Sequence, residues 1–336
     1  MRTDQTYSLR ETLVWTRREL AVFVALATVP TALYALGGIT WIAIPWLPIS
    51  LIGTAVAFIT GFKNNASYGR LWEARKIWGG LVNTSRLWTA QALDYTREDR
   101  EEAAEGDVEE RRKLVYRTLA FLTALRYQLR QPQAWENMDQ RHAVEYQRNY
   151  RVAEWTGDLA EELSAFLEPG ELENALRAPN RATQILALQS SHLQDLVARG
   201  MLNDFQRLSL TKTLERFFDD QGRSERIKKF PYPRQFAALN LYFIWLFIGL
   251  VPFGLLNEFA ALGEGFVWLT IPASTIVAWV FHTMDKIGGA SENPFEGGPN
   301  DVPITSMVRT IEIDLRQMLG EVDIPPAIEP VNNILT

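Results

Sequence analysis

Three stretches of this chain carry no Asp, Glu, Lys or Arg: residues 20–62, 236–256 and 265–284. Each of the last two can cross a hydrocarbon layer ~30 Å thick at ~1.5 Å per helical residue, and the first can cross it twice. In hydrocarbon, backbone amides find partners only inside a helix or a closed barrel. Strand-type alternation is nearly absent from the chain, so the crossings read as helices. The fold class expected is an all-α membrane protein with four transmembrane helices. Overall composition hides this, since 47% hydrophobic residues is ordinary for a water-soluble protein; the apolar residues are segregated, not abundant.

The charges flanking these stretches set an orientation. Arg17 and Arg18 precede the first crossing, Lys63, Arg70, Arg75 and Lys76 follow the second, and Arg226, Lys228, Lys229 and Arg234 precede the third. The turn between crossings one and two has no positive residue, and the turn between three and four carries only Glu258 and Glu264. Basic flanks stay on the cytoplasmic side, so both termini are expected there. Trp41 and Trp46 beside Pro45 and Pro48 suit the headgroup level on the other side. The first apolar run continues past Pro30 without a small-residue cleavage site, which does not read as a secretory signal.

Four segments follow. Residues 1–66 hold the lead-in and crossings one and two, and residues 67–230 a large helical cytoplasmic domain. Residues 231–286 hold crossings three and four, and residues 287–336 a cytoplasmic loop, a last helix and a tail. Within 67–230, helices are expected near 114–129, 152–167, 182–199 and 203–218, with the charge run 98–112 as a loop or frayed end. A Gly/Pro-rich loop spans 288–303. Asp301 is placed to cap a final helix whose apolar stripe is Ile304, Val308, Ile311, Leu315 and Met318, with Gly320 ending it.

Chemistry-bearing patterns are sparse. The chain has no cysteine, which excludes disulfides and thiolate chemistry. His142, His192 and His282 lie far apart without metal-ligand spacing, and no nucleophile elbow, phosphate loop or dinucleotide fingerprint occurs. An enzyme, a cofactor and a metal site are therefore not expected. A net charge of −6 argues against a nucleic-acid partner.

What remains is one helix, residues 48–78, which no proline interrupts and which runs from hydrocarbon into charged sequence. Thr54, Phe58 and Phe62 recur every four residues and share a face. Gly53, Ala57 and Gly61 form a neighbouring small-residue stripe suited to close helix approach. An apolar stripe of this kind is either a packing face or a pore wall. Lys63 reads as a headgroup contact or an inter-subunit partner, and Asp285–Lys286 as an interfacial pair.

The run FKNNASYGRLWEARKIWGGLVNTSRLW, followed by ERIKKFPYP and NPFEGGPNDVPI in that order, resembles the signature of the bestrophin family in its bacterial branch. The resemblance implies a homopentameric ion channel of the bacterial inner membrane, four transmembrane helices per subunit around a central pore, in contact with lipid and permeant inorganic ions. It implies a hydrophobic pore neck at Thr54, Phe58 and Phe62, where relatives carry a large apolar residue in place of Thr54. It implies a cytoplasmic aperture at Leu202, with Met201 if the register is one off, and a subunit-contact loop at Asn293, Pro294, Phe295 and Asp301. The tail is implied to wrap a neighbouring subunit. Eukaryotic members hold calcium in that loop with a run of acidic residues; two scattered acids, Glu296 and Asp301, fall short of the six to eight oxygens calcium wants. Conduction of chloride or other monovalent anions is the function expected. The alternatives are a monovalent-cation channel on the same fold and a non-conducting membrane-anchored scaffold.

Overall fold

The computed structural model describes residues 1–4, 6–95, 105–138, 143–144 and 147–336. His142 and residues 98–104 of the charge run lie outside the described residues. Helices dominate: α1 Leu9–Trp15, α2 Arg17–Ala35, α3 Trp46–Tyr95, α4 Glu105–Arg130, α5 Leu159–Ser164, α6 Pro169–Arg177, α7 Arg181–Ala198, α8 Asp204–Lys229, α9 Arg234–Ala260, α10 Thr270–Ala290 and α11 Ile304–Met318. They divide into two compact units, an apolar one (Asp4–Arg70 and Pro231–Glu292) and a polar one (Met1–Thr3, Leu71–Phe230 and Asn293–Thr336). The division falls within α3, whose 50 residues at ~1.5 Å each make a rod of ~75 Å. Pro48 sits in its first turn, where a missing N–H breaks nothing.

The apolar unit contains the segments long and apolar enough to cross a membrane: Arg17–Ala35, the start of Thr40–Tyr95, Arg234–Ala260 and Glu264–Ala290. Its core is a cluster of Phe23, Ile49, Val56, Ile244, Phe247, Ile248, Val251 and Ala278. Spacings of three and four along α9 place Ile244, Phe247, Ile248 and Val251 on one stripe. Gly53 meets the Phe247 ring so closely that a Cβ there would lie 2.5 Å from it. Of the small-residue stripe only Gly53 is used in this way; Ala57 and Gly61 are exposed, and nothing lies within 4 Å of a Cβ built on Gly61.

The polar unit is built around α4, which is buried on every side from Leu114 to Arg126, with the buried Arg117 and Arg126 each paired to a carboxylate. Trp88 of α3 donates to the Leu114 carbonyl at 3.2 Å, and Phe217 of α8 meets both Trp88 and Phe121 edge-on. The helix expected over 152–167 is instead a 3-10 turn, Ala153–Trp155, and the short α5. Asp158 accepts from the Ala160 amide and starts a new helix there. Residues 105–112, expected as loop or frayed end, begin α4. In α11 the stripe Ile304, Val308, Ile311 and Leu315 is buried and Met318 exposed, and Gly320 (φ 77°) follows its end. The chain ends meet: the Leu335 amide donates to Met1 O and the Thr3 amide to Asn333 O, both at 2.8 Å.

Candidate conduction face and charge clusters

Along the apolar stretch of α3, burial alternates with helical period. Gly53, Val56, Thr60, Lys63 and Ser67 are turned inward, at steps of three and four residues. The opposite side carries Thr54, Phe58 and Phe62, with Phe58 65% and Phe62 72% exposed. The three expected neck residues thus share one uncovered face, and the Thr54 hydroxyl is turned back onto the Ser50 carbonyl at 2.9 Å. That hydrogen bond engages the hydroxyl with its own helix.

Directly behind this face lies a polar seam absent from the sequence reading. The Lys63 ammonium donates to Asp285 Oδ1 at 2.7 Å, with both side chains about nine-tenths buried. Lys63 is therefore neither a headgroup contact nor an inter-subunit partner. Asp285 does not pair with Lys286 either. Lys286 donates to Glu19 at 2.8 Å and to Trp15 O at 2.9 Å, and lies over the Trp15 ring. Farther along, Arg70 Nε donates to Glu292 O at 2.9 Å, and Arg234 approaches the Glu292 carboxylate at 3.4 Å. Burial pushes the Glu292 carboxyl above its usual range even so.

In the polar unit the structure corrects two expectations. Leu202 is 4% exposed within the unit's apolar core, and Met201 packs against that core. A side chain so placed borders no passage. The cause is a helix C-terminus of Schellman type. Gly200 takes φ 76°, its amide bonds Val197 O, and the Met201 amide bonds Leu196 O at 2.9 Å, which folds the next residue inward. Asn203 and Gln206 then exchange side-chain-to-backbone hydrogen bonds in a capping box at the start of α8. The first turn so fixed holds Phe205 outward, 86% exposed. The Asn-x-x-Gln pattern at 203–206 was the sequence signal for this turn.

The second correction concerns the loop before α11. Asn293, Pro294, Phe295 and Asp301, expected at a subunit contact, are buried within their own unit, with Phe295 beside Trp78. Asp301 does not cap α11. Its Oδ2 accepts from the Gly297 and Gly298 amides, both at 2.8 Å, and so closes the loop on itself. Glu296 Oε1 accepts from the Asn137 amide at 3.0 Å and from Asn293 Nδ2 at 2.5 Å. Both carboxylates are engaged by the protein's own donors, which does not fit a calcium cage. His192, which has no metal-ligand spacing in the sequence, sits between Arg117 and Glu110, 2.6 Å from each. Burial, and then the Arg117 charge, hold its imidazole below the usual range.

Burial, reinforced by Asp301 and Glu136, pushes the Glu296 carboxyl up to about 8. An acid raised in the folded state weakens folding as pH climbs from its unfolded value through the folded one. The protein is therefore expected to lose stability between roughly pH 4.5 and pH 8 through this group, and Glu296→Gln to flatten that loss. Thermal unfolding in detergent across this range checks it: equal slopes for parent and variant would remove Glu296 as the source.

Residues 11–317 match the family described as bacterial/fungal bestrophin protein. A voltage-dependent anion channel-forming protein of Ralstonia nicotianae is 30% identical over 274 residues, 82% of this chain and 77% of that one. The voltage-dependent anion channel-forming protein YneE of Escherichia coli K12 is 28% identical over 284 residues, 84% of this chain and 80% of that one. Among solved structures, a bacterial bestrophin homolog from Klebsiella pneumoniae superposes with a TM-score of 0.74 at 24% identity, covering 90% of this chain and 98% of the other. That likeness bears on the fold.

Proposed function

The chain belongs to the bacterial/fungal bestrophin family, and we propose that it is a passive anion channel of the bacterial inner membrane, five copies surrounding one pore. The observation that carries this reading is the uncovered face of α3. Two large aromatic rings and Thr54 are exposed on a helix whose reverse side is buried at Gly53, Val56, Thr60 and Lys63. Copies of α3 turned toward a common axis would bring these side chains into a collar of carbon. Such a collar offers a hydrated ion no hydrogen bonds, so it gates by dewetting and passes current when wetted. The exposed Ala57 and Gly61 suit the close approach of a neighbouring copy. Anion preference is supported by the names of the relatives from Ralstonia and Escherichia.

The four apolar segments act as the membrane crossings, and the polar unit lies in the cytoplasm. Hydrogen bonds joining residues 1–3 to residues 333–335 support an even number of crossings, because ends bonded together lie on one side of a bilayer, and the basic flanks favour the cytoplasmic side. Phe205, exposed at the start of α8, takes the aperture role that Leu202 cannot. Phe205→Ala is expected to change relative permeability among anions of different size and to leave assembly intact. Leu202→Ala, by contrast, removes a core side chain and costs about 2–5 kcal/mol of stability. Unchanged permeability ratios in Phe205→Ala would take this residue out of the path.

Purified protein in planar bilayers under a potassium chloride gradient tests the whole reading. Ohmic steps reversing near the chloride potential are expected. Reversal near the potassium potential would replace the anion by a cation. Silence of both the parent and Phe58→Ala, or a protein that stays a single copy in detergent, would leave a non-conducting scaffold.

A further inference from the structure

The seam behind the neck face has a geometry that bears on the neck itself. Asp285 Oδ1 of α10 accepts twice, from Lys63 of α3 and from Asn240 Nδ2 of α9, each at 2.7 Å. Asn240 is fully buried, and its Oδ1 in turn accepts from the Thr60 hydroxyl at 3.1 Å. One turn on, Asn64 donates to Met284 O at 3.0 Å, and its Oδ1 is set so tightly against Gly288 that a Cβ there would lie 2.0 Å away. Three helices therefore meet in a closed set of directional contacts, made from α3 by Thr60, Lys63 and Asn64. At ~100° per residue, Thr60 lies roughly 160–200° around α3 from Phe58 and Phe62. The seam grips the side of the helix facing away from the rings.

Burying an ion pair is weak support for stability, since apolar groups of the same volume often serve as well or better. Its attested use is to fix a register, and ionisable groups at membrane depth mark functional positions more often than packing does. Around it, Gly53, Ile49 and Val56 pack in the apolar core, where the close approach of Gly53 to the Phe247 ring limits rotation sterically and without a hydrogen bond. At the level of the neck rings, the seam adds hydrogen bonds and an ion pair that specify angle as well as distance.

We propose that the Lys63–Asp285–Asn240–Thr60 seam fixes the rotation of α3, and that Asp285 is the positioning residue that holds Phe58 and Phe62 at the conduction path. The inference rests on the pore reading above. A rotation of α3 by one side-chain position, ~100°, would withdraw Phe62 and present Gly61 or Lys63, turning an apolar collar into an open or a charged one.

The chain contains no cysteine, so a single introduced cysteine is its only thiol. Full-length protein in liposomes carries Phe62→Cys, Phe58→Cys or the buried reference Val56→Cys, and reaction with a charged, membrane-impermeant thiol reagent is timed. The parent background is expected to give fast reaction at 58 and 62 and slow reaction at 56. Asp285→Asn keeps an amide for Asn240 but leaves the Lys63 ammonium buried and unpaired. It is expected to reduce the rate contrast between positions 62 and 56 by about tenfold or more. Lys63→Met with Asp285→Leu refills the volume without direction and should lose contrast similarly, and it replaces Asp285→Asn if that variant does not accumulate. The exchanged pair, Lys63→Asp with Asp285→Lys, should restore the contrast, which a purely structural loss would not. Full contrast in both the neutral variants overturns the seam's role and leaves the pore reading standing. No reaction at 58 and 62 in the parent overturns the pore reading and the seam's role together.

Discussion

Phe58→Ala and Phe62→Ala are each expected to increase ion flux, and the double variant more than either. A ring collar opposes a hydrated ion because water held between apolar walls gives up hydrogen bonds; trimming a benzyl group to a methyl widens the collar and lets water stay. Each ~1.4 kcal/mol removed from the barrier multiplies the rate about tenfold, so a gain of roughly an order of magnitude per ring layer is the scale expected. Folding should hardly notice, because both side chains are largely exposed within their own copy and touch no core. Single-channel conductance paired with an oligomer-size measurement separates the outcomes. Loss of current with an intact oligomer would place these rings outside the path. Loss of the oligomer would make them packing residues.

Glu154→Ala is expected to be the most damaging single change to stability. Glu154 stands in the 3-10 turn before α5 with its side chain fully buried. Arg126 Nη1 meets one oxygen at 2.5 Å, and Thr305 donates to the same oxygen at 2.7 Å. Arg130 approaches the other at 3.9 Å. Burial alone would raise this carboxyl; the Arg130 and Arg126 charges and the Thr305 hydroxyl outweigh it and hold the group below the usual carboxylate range. Removing it leaves Arg126 with Glu162 as its remaining carboxylate and Arg130 with the Phe295 carbonyl alone, and breaking a buried pair of this kind costs about 3–5 kcal/mol. Because the folded pKa is depressed, this support is complete above the unfolded value and is lost as pH falls through the folded one. Thermal unfolding should show a large drop in Glu154→Ala at neutral pH that shrinks toward strong acid. A drop that stays constant with pH would mean the side chain acts by packing and not by charge.

Much of the architecture was legible in the order of residues. Charge-free runs separate the helices long and apolar enough to cross a membrane from the rest, because the cost of a charge in hydrocarbon is local and large. The unbroken course of α3 follows from the absence of proline after Pro48, and the stripe of α11 from spacing alone. The shared face of Thr54, Phe58 and Phe62 was equally available, since a four-residue repeat on a helix has one geometric outcome. The turn at 200–206 was half legible. Its glycine and capping box were in view, but which of Met201, Leu202 and Phe205 points outward depends on the Schellman bonds that fold Leu202 into the core.

Lys63 and Asp285 are 222 positions apart, and neither flanking sequence points to the other. Asp301 sat where a helix cap belongs and instead holds two glycine amides of its own loop. Periodicity, breaks and hydropathy act over a few residues, and they decided which segments are helices, which are apolar and which side chains share a face. Long-range partners decide which buried charge is neutralised by which, and therefore which way each face is turned. That choice exists only once α3, α9 and α10 are packed together.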